Sequence, residues 1–395
     1  MNILMFTLGF YPATAWGGPV RIVHQNSREL IRRGHQVTVY CTNLLDKKQK
    51  MQPGTFEKNV DGIRVFYLNT LNLPRWPGTL GPVWSLDLQR YLDSDISKFD
   101  VVHLNGYRNL LNLPVVRVAR RSEKPLILQP HGTSQVIINT FAFKRLYDDL
   151  LGGKEARYAS AWIAGQESER QQILDYGIPA EKIQIIPNGL DLSEQLDLPD
   201  PGFFRKRYGI PLDVPLVLFL GRINKKKGAD MLVEAFSYLR DTDIHLAIVG
   251  PDDGQMDVVK GLIARFELDG RVVLPGLLSG IDVWAAYQDA DLFVLPCRTD
   301  TFPMTVLEAC RVGTPMVITD GCEIAGFVKD RVADVVPFDS KAFAEAVSNL
   351  LSDEVKYQVY KKNCPEVMRD TFSVSAVVDK LENLYERVVS GNRPS

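Results

Sequence analysis

Two acidic residues lie where the sequence predicts that a buried strand ends and a helix begins. The apolar run 291–295 ends at Pro296, and residues 305–311 have helical spacing, so Asp300 falls in the connection and Glu308 in the helix. Carboxylates accept hydrogen bonds from vicinal hydroxyls, while the free N–H groups at a helix start favour an anion. A sugar diphosphate offers both kinds of partner. Spacing alone also fits a helix-start acid and an exposed glutamate, and taken by itself it favours that simpler interpretation.

A basic loop at 221–228 follows another predicted strand. It contains Arg222 and three lysines at 225–227, and it leads into a helix predicted at 229–236. Cations at this end of a helix oppose its dipole, and an anionic ligand would relieve the conflict. Arg222 and one of these lysines could then hold a diphosphate without a metal, because a guanidinium and an ammonium both bind phosphate oxygens. The alternative is a basic loop that only faces solvent.

The composition indicates a globular chain with room for two domains. Its 395 residues are 45% hydrophobic and 24% charged, and the net charge of -2 gives no electrostatic case for nucleic-acid binding. No apolar run approaches the ~20 residues that span a bilayer, and residues 1–9 are interpreted as a strand rather than a signal peptide. The five cysteines, an odd number, predict reduced thiols in a cytoplasmic protein.

Predicted strands and helices alternate along both halves of the chain. The strands are predicted at 3–9, 36–41, 63–68, 101–104, 125–129, 161–165 and 183–186, and then at 216–220, 245–249, 272–274, 292–295 and 315–319. Two such series predict an α/β fold of two doubly wound domains that face each other across a cleft. We expect the domains to cover 1–192 and 193–373, with a C-terminal helix and tail at 374–395 that pack back towards the first domain.

The segment 136–151 mixes large apolar side chains with Lys144 and Arg145. We interpret it as an amphipathic helix on the surface of the first domain. The alternative is a patch that contacts an acceptor molecule or a membrane surface.

Several further motifs keep a fixed order along the chain. The second half has Gly221-Arg222, Lys227-Gly228, a Val-Leu-Pro-Gly run at 273–276, Leu307-Glu308-Ala309 and Gly313-Thr314-Pro315. The first half has Gly17-Gly18, an Arg-Gly-His-Gln-Val run at 33–37, His131-Gly132 and a Pro-Asn-Gly-Leu-Asp run at 187–191. Together these motifs resemble the retaining glycosyltransferases of the large family-four group, which have the GT-B fold of two Rossmann-like domains. The resemblance covers nearly the whole chain.

The resemblance implies roles for the charged residues of the second half. Arg222 and Lys227 would hold the diphosphate of a nucleotide-sugar donor. Glu308 would contact the ribose hydroxyls, and Asp300 would contact a hydroxyl of the transferred sugar. Backbone near Gly276 would receive the nucleotide base.

The same resemblance implies roles for residues of the first half. His131 would line the sugar pocket, and Gly17 and Gly18 would face the phosphates. The expected donor-binding set is Gly17, Gly18, Arg222, Lys227, Gly276, Leu277, Asp300, Thr301, Phe302, Met304, Thr305 and Glu308. The residues expected to act in catalysis are Arg222, Lys227, Asp300 and His131.

Two positions depart from the family's pattern. The family usually has Glu at the position of Asp300, followed shortly by Phe-Gly, whereas here the acid is one methylene shorter and Pro303 replaces that glycine. Pro303 has no backbone N–H, so one hydrogen-bond donor to the nucleotide sugar is expected to be missing. The departures bear on the identity of the donor more than on the class of reaction.

One motif of metal-dependent glycosyltransferases also occurs. Asp241-Thr242-Asp243 matches the D-x-D pattern, but it precedes a predicted strand and therefore lies at the amino end of the sheet. Because ligands bind at the other end, we expect no catalytic metal there.

The resemblance implies a metal-independent retaining hexosyltransferase that needs no cofactor. The enzyme would move a hexose from a UDP- or GDP-linked donor to a glycan, glycolipid or small-molecule acceptor, in cell-surface polysaccharide or glycoconjugate synthesis. We expect it to be cytoplasmic, with peripheral contact to the inner face of the plasma membrane through 136–151 as an open alternative. Two other functions remain open: a nucleotide-sugar 2-epimerase of the same fold, and a catalytically weak sugar-nucleotide-binding protein whose activity is reduced by Asp300 and Pro303.

Overall fold

The computed structural model describes residues 1–46, 49–72, 83–132, 156–193 and 198–391. The chain divides into two compact units. The first comprises Met1–Asp191 together with Val374–Ser395, and the second comprises Leu192–Ser373. Each unit contains a largely parallel sheet with helices between its strands, so the predicted α/β fold with two Rossmann-like domains is confirmed.

The sheet of the first unit has eight strands in the order β10-β9-β8-β7-β1-β2-β4-β3. These are β1 Asn2–Thr7, β2 Gln36–Thr42, β3 Phe56–Val60, β4 Ile63–Leu68, β7 Val101–Asn105, β8 Leu126–Gln129, β9 Ala161–Ala164 and β10 Ile183–Ile185. A separate short pair is formed by β5 Leu71–Asn72 and β6 Val83–Trp84. Neighbouring strands of the large sheet are parallel, except for the edge strand β3, which pairs antiparallel with β4. Strands such as β7 are buried along their whole length, as is typical of parallel strands covered by helices.

Helices of the first unit cover this sheet. They are α1 Gly18–Arg32, α2 Leu86–Asp95, α3 Asn112–Arg121, α4 Glu167–Asp175 and, from the end of the chain, α13 Val374–Gly391. Their apolar faces pack on the sheet, and each deeply buried aliphatic or aromatic side chain contributes about 1.5–3 kcal/mol to folding. The segment 136–151, interpreted above as an amphipathic helix, lies outside the described residues.

The last helix, α13, belongs to the first unit. Its buried face consists of Val374, Val377, Val378, Leu381, Leu384 and Tyr385. The guanidinium of Arg33 donates hydrogen bonds to Glu382 and Asp379, both at 2.5 Å. The backbone N–H of Val374 donates to the carbonyl of Leu190 at 3.1 Å. Apolar packing, an ionic contact and a backbone hydrogen bond therefore all fix α13 to this unit.

The second unit has a parallel sheet of six strands in the order β13-β12-β11-β14-β15-β16. These are β11 Leu216–Leu220, β12 His245–Val249, β13 Val272–Gly276, β14 Leu292–Leu295, β15 Met316–Thr319 and β16 Ala333–Val336. Its helices are α5 Phe203–Tyr208, α6 Ala229–Ser237, α7 Met256–Arg265, α8 Ile281–Asp289, α9 Met304–Val312, α10 Ala325–Val328, α11 Ser340–Ser352 and α12 Glu354–Val367.

The strand order of the second unit changes direction between β11 and β14. The chain continues from β11 to β12 on one side of the sheet, and it returns to β11 from the other side as β14. In open α/β sheets, ligands bind at the carboxyl ends of the strands next to such a switch. The segments that leave β11 and β14 are the basic loop 221–228 and the connection 296–303, which carries Asp300. The topology therefore brings the two predicted charged segments to one place.

The expectation that all five cysteines are reduced is wrong for one pair. Cys297 and Cys322 form a disulfide, with Cα atoms 6.0 Å apart, while Cys41, Cys310 and Cys364 are free and buried. Cys297 follows β14 and Cys322 follows β15, and these strands are neighbours in the sheet. The count and spacing of cysteines do not reveal which strands are adjacent, so this pairing could not be predicted from them.

Candidate active site

Two segments of the second unit are in backbone contact at the switch point. We call residues 221–228 the basic loop and residues 296–303 the Asp300 connection. A Cβ atom at Gly228 would lie 1.9 Å from the carbonyl oxygen of Pro296, and Gly228 also has a φ of +74°. Only glycine therefore allows the two segments to approach this closely in this conformation.

Lys227 and Asp300 form an ion pair across this contact, between Nζ and Oδ2. The side chains are 17% and 18% exposed, respectively. A pair with so little solvent around it interacts more strongly than a pair on the open surface. The predicted diphosphate cation and the predicted sugar-binding acid therefore share one partly buried position.

Backbone hydrogen bonds hold Asp300 from the other side. Its N–H donates to the carbonyl of Gly321 at 3.0 Å, and its carbonyl accepts from the N–H of Glu323 at 2.9 Å. Both partners lie in the segment that follows β15. With backbone bonds on one side and Lys227 on the other, the Asp300 carboxylate has a defined position.

Arg222 has an acidic partner of its own. Its guanidinium lies 3.0 Å from the carboxylate of Asp253, and the side-chain amide of Asn224 donates to the same carboxylate oxygen at 2.8 Å. The Arg222 side chain is 66% exposed. Such an exposed ion pair contributes at most about 1 kcal/mol, so Arg222 can exchange Asp253 for another anion at little cost.

Glu308 lies on the first turns of α9, which begins at Met304. The hydroxyl of Tyr287, a fully buried residue of α8, donates a hydrogen bond to Glu308 Oε2 at 3.1 Å. The carbonyl of Tyr287 accepts from the hydroxyl of buried Thr314 at 3.0 Å. Tyr287 is thereby fixed at both ends and sets the direction of the Glu308 carboxylate. Hydrophobic spacing had given no sign of this contact.

Four further predicted residues surround the start of α9. Thr301 and Phe302 are half-buried in the Asp300 connection, and the Phe302 ring packs edge-on against Phe372 with centroids 6.1 Å apart. Met304 and Thr305 are the first two residues of α9. The first N–H groups of a helix have no partner within it, so this end offers donors to an anion.

Gly276 and Leu277 lie at the carboxyl end of β13. Gly276 has a φ of +78°, and its carbonyl accepts from the N–H of Gly250 at 2.9 Å. Leu277 is 73% exposed, an unusual exposure for a leucine. A Cβ at Gly250 would lie 1.8 Å from the Gly221 carbonyl oxygen, so Gly250 brings this strand end next to the basic loop.

The remaining predicted residues belong to the first unit. Gly17, with a φ of +77°, precedes α1, and Gly18 is the first residue of that helix. An added Cβ would meet no atom within 4 Å at either position, so the backbone at both glycines is unobstructed. The glycine requirement at Gly17 arises from its positive φ.

His131 follows β8 and is held by two buried polar residues of the first unit. Its Nε2 lies 2.9 Å from the side-chain oxygen of Asn105, and its own φ is +53°. Burial lowers the pKa of His131 to about 4, so the ring is neutral near pH 7. The buried carboxylate of Glu169 accepts from the N–H groups of Gly132 and Gly165, both at 2.7 Å. Glu169 thus orients the loop of His131.

Within the part of the chain that the structure describes, no group of three or more His, Cys, Asp or Glu side chains could hold a metal ion. Asp241-Thr242-Asp243 precedes β12, at the amino end of the second sheet. The helices of the same described ranges include none that is long and apolar enough to cross a membrane.

Family models match most of the chain. The model for glycosyl transferases group 1 matches residues 202–367, and the model for glycosyltransferase family 4 matches residues 16–194. The first covers the basic loop, the Asp300 connection and α9, and the second covers Gly17, Gly18 and His131. The chain is a group 1 glycosyltransferase of the GT-B fold. The resemblance inferred from the motifs is confirmed.

Individual proteins resemble this glycosyltransferase along most of its length. A D-inositol 3-phosphate glycosyltransferase of Xylanimonas cellulosilytica is 27% identical over 369 residues, which cover 87% of this chain and 85% of the relative. Among solved structures, a glycosyltransferase from Rickettsia africae matches with a TM-score of 0.73 and 17% identity, over 98% of both chains. The Anabaena protein HepE in complex with UDP-glucose matches with a TM-score of 0.70 and 20% identity, over 98% of this chain and all of that one. At such identities the structural matches establish a shared fold.

Proposed function

We propose that this glycosyltransferase moves a hexose from a nucleoside-diphosphate sugar, UDP- or GDP-linked, to an acceptor hydroxyl with retention of anomeric configuration. The observation that carries the proposal is the ion pair between Lys227 and Asp300 at the switch point of the second sheet. It brings a cation for the leaving phosphate and an acceptor for a sugar hydroxyl to one position. A donor that contains both groups can contact both residues.

The cations would act on the bond that breaks. Cleavage of an anomeric C–O bond builds positive charge on the sugar and negative charge on the leaving diphosphate. Lys227 and Arg222 would stabilise the second charge, and preorganised cations are most effective where charge develops in the transition state. Because the side chains supply this charge themselves, we propose that transfer needs no metal.

The other residues of the set would bind the rest of the donor. Glu308, directed by Tyr287, would accept hydrogen bonds from the ribose hydroxyls, and Asp300 would accept one from the sugar. The backbone at Gly276 and Leu277 would contact the base. The N–H groups at Met304 and Thr305 would bind the phosphates, and Thr301 and Phe302 of the Asp300 connection would lie beside the donor. In the first unit, Gly17, Gly18 and His131 remain predictions from the family motifs.

The acceptor is proposed from the family as a whole. We propose a glycan, a glycolipid or a small molecule, in the synthesis of cell-surface polysaccharide or glycoconjugates. The Xylanimonas relative is named a D-inositol 3-phosphate glycosyltransferase, and HepE has been crystallised with UDP-glucose. The HepE complex supports a nucleotide-sugar donor here. Retention is proposed from the resemblance of the motifs to the retaining glycosyltransferases of the family-four group.

The experiment is a panel of UDP- and GDP-hexoses, each incubated with the purified chain, with and without candidate acceptors. With one of the donors and no acceptor, we expect slow release of the nucleoside diphosphate. With the same donor and the true acceptor, we expect faster release. The anomeric coupling constant of the product in NMR gives its configuration. A changed sugar that is still linked to its nucleotide would favour a 2-epimerase, and binding without any turnover would favour a binding protein. Activity lost in EDTA and restored by magnesium or manganese would contradict metal independence.

A further inference from the structure

Arg298 joins the two charged segments of the candidate site. Its guanidinium forms two hydrogen bonds to the carboxylate of Asp230, at 2.9 and 2.7 Å. It also donates to the carbonyl of Lys225 at 2.5 Å. The backbone N–H of Arg298 donates to the carbonyl of Lys226 at 2.7 Å. One residue of the Asp300 connection is therefore bonded to two residues of the basic loop and to the helix that follows the loop.

The geometry of this contact is restrictive. Two parallel N–H···O bonds between a planar guanidinium and a carboxylate fix both distance and orientation, which a single ammonium cannot do. The Arg298 guanidinium also stacks on the ring of Phe338, 4.4 Å from its centroid. The Arg298 and Asp230 side chains are 32% and 19% exposed. Although burial opposes the shift, the hydrogen bonds from Arg298 lower the pKa of Asp230, so the pair is charged near neutral pH.

The position of Lys227 depends on this contact. Lys227 follows directly after the two lysines whose carbonyls bond to Arg298, and it precedes Gly228, which touches the Pro296 carbonyl. Between these two fixed points, the Lys227 side chain reaches Asp300 on the same connection that carries Arg298. If the guanidinium were absent, the basic loop would lose its bond at the Lys225 carbonyl and its link to Asp230, and only the backbone bond at Lys226 would remain.

We propose that Arg298 is a positioning residue for the transfer reaction, which holds the basic loop against the Asp300 connection so that Lys227 meets the donor diphosphate. This inference rests on the proposed function. Arg298 acts through Lys227 and not by touching the donor, because its guanidinium is directed at Asp230 and at the Lys225 carbonyl. Asp230, the partner in the first turn of α6, is part of the same device.

The test uses Arg298→Lys, which keeps the positive charge and loses the two parallel bonds, and Asp230→Asn, which removes the opposite charge at nearly constant volume. We expect either change to lower kcat/KM by about ten- to a hundredfold, measured with the donor that the panel of nucleotide sugars identifies. Affinity for the nucleoside diphosphate, measured by calorimetry, should weaken about tenfold, while affinity for the nucleoside monophosphate stays within about threefold. A loss confined to the diphosphate is what displacement of Lys227 predicts, whereas general damage to the unit would weaken both ligands.

A double-mutant cycle with Lys227→Ala isolates the coupling. If Arg298 acts through Lys227, Arg298→Lys should lower kcat/KM by less than about threefold when it is added to Lys227→Ala. An equal cost in both backgrounds would overturn the proposal and assign Arg298 a direct contact with the donor. The matched control is Arg207→Lys, which alters an arginine–aspartate pair with Asp282 elsewhere in the same unit, at 2.8 Å. The kcat/KM of this control should stay within about twofold of the wild-type value.

The outcomes separate this inference from the proposed function. A wild-type chain that neither binds nor turns over any nucleotide sugar contradicts the proposed function itself. A wild-type chain that transfers and is impaired by Lys227→Ala, but not by Arg298→Lys or Asp230→Asn, overturns only the positioning role. If Arg298→Lys fails to fold, as judged by its thermal unfolding, Asp230→Asn gives the same comparison from the other side of the pair.

Discussion

The hydroxyl of Tyr287 donates a hydrogen bond to Glu308 at 3.1 Å, from a ring that has no exposed surface. Burial and the nearby Glu308 carboxylate raise the pKa of Tyr287 well above its usual value. The phenol therefore keeps its proton and remains a donor near neutral pH. Because Glu308 is proposed to bind the ribose, Tyr287 connects the buried core of the second unit to the recognition of a ribonucleotide.

The change Tyr287→Phe should impair that recognition and leave the fold intact. It removes one hydrogen bond to a charged group, worth roughly 1.5–3 kcal/mol, and keeps the ring that packs in the core. We expect the ribonucleoside diphosphate to bind about threefold to thirtyfold more weakly, while its 2′,3′-dideoxy analogue binds as it does to wild type. Calorimetry with the two ligands measures this. Equal weakening of both would show that Glu308 is not directed at the ribose by Tyr287.

The two cations should differ in what their removal does. Both Arg222→Ala and Lys227→Ala should lower kcat/KM by at least a hundredfold, because each removes a positive charge that would stabilise the leaving diphosphate. Lys227→Ala should also lower the thermal unfolding midpoint, because it leaves Asp300 partly buried and without Lys227. Arg222→Ala should leave the midpoint unchanged, because Arg222 is exposed. Lys260→Ala, an exposed lysine on α7, is the matched control. Activity of both variants within threefold of wild type would contradict the assignment.

Much of the fold could be predicted because parallel strands carry a strong local signal. β11, β12 and β14 are short, largely apolar runs that end at Gly221, Gly250 and Pro296, and the sequence predicts them with the bounds that they have. The edge strand β3 was missed, because it alternates poorly and its central residues are exposed. Its pairing with β4 depends on a tight turn at 61–62 and not on hydrophobic pattern.

The site could be predicted only where a motif marks it. Asp300, Glu308, Arg222 and Lys227 follow strands and match a family pattern, so both position and chemistry indicate them. Arg298 was missed, because its partner Asp230 is 68 residues away and their contact depends on the adjacency of β11 and β14. Glu169 and Tyr287 were missed for the same physical reason. A residue that orients another through the fold leaves no mark in the local sequence.

Buried His103 should make the first unit sensitive to acid. Its Nδ1 lies 2.8 Å from the hydroxyl of Tyr385 on α13, and burial, with a smaller effect of nearby His131, lowers its pKa to about 3. In the unfolded chain, histidine titrates near 6.5, so the unfolded state binds the extra proton first as pH falls. The stabilisation from neutral His103 is therefore complete above about pH 6.5 and is lost progressively towards about pH 3.

Through His103, the free energy of unfolding at pH 5 should be about 2 kcal/mol lower than at pH 6.5 or above. The measurement is urea unfolding of wild type and His103→Gln at pH 7 and pH 5, followed by a signal of the first unit. We expect wild type to lose more stability than the variant over this interval, by about that amount. Equal losses would mean that His103 is not held neutral in the folded protein.

Asp300 stands where relatives of the family usually have a longer glutamate, and here it contacts Lys227. One methylene moves a carboxylate oxygen by over an ångström, enough to break a hydrogen bond whose donor–acceptor distance is normally ~2.7–3.0 Å. Backbone bonds to the segment after β15 hold the connection in place, so it cannot shift freely to compensate. Both Asp300→Asn and Asp300→Glu should therefore impair transfer.

Two measurements on Asp300→Asn separate the contact of Asp300 with the sugar from its contact with Lys227. Asp300→Asn removes a charge-assisted hydrogen bond worth roughly 1.5–3 kcal/mol, so kcat/KM should fall about ten- to a hundredfold. Affinity for the bare nucleoside diphosphate should not fall, because that ligand lacks the transferred sugar and because Lys227 no longer has a competing carboxylate. Calorimetry with the diphosphate and a transfer assay with the full donor give the two quantities. If diphosphate binding weakens as much as transfer slows, Asp300 serves only to place Lys227, and if neither changes, Glu308 is the only functional acid of the pair.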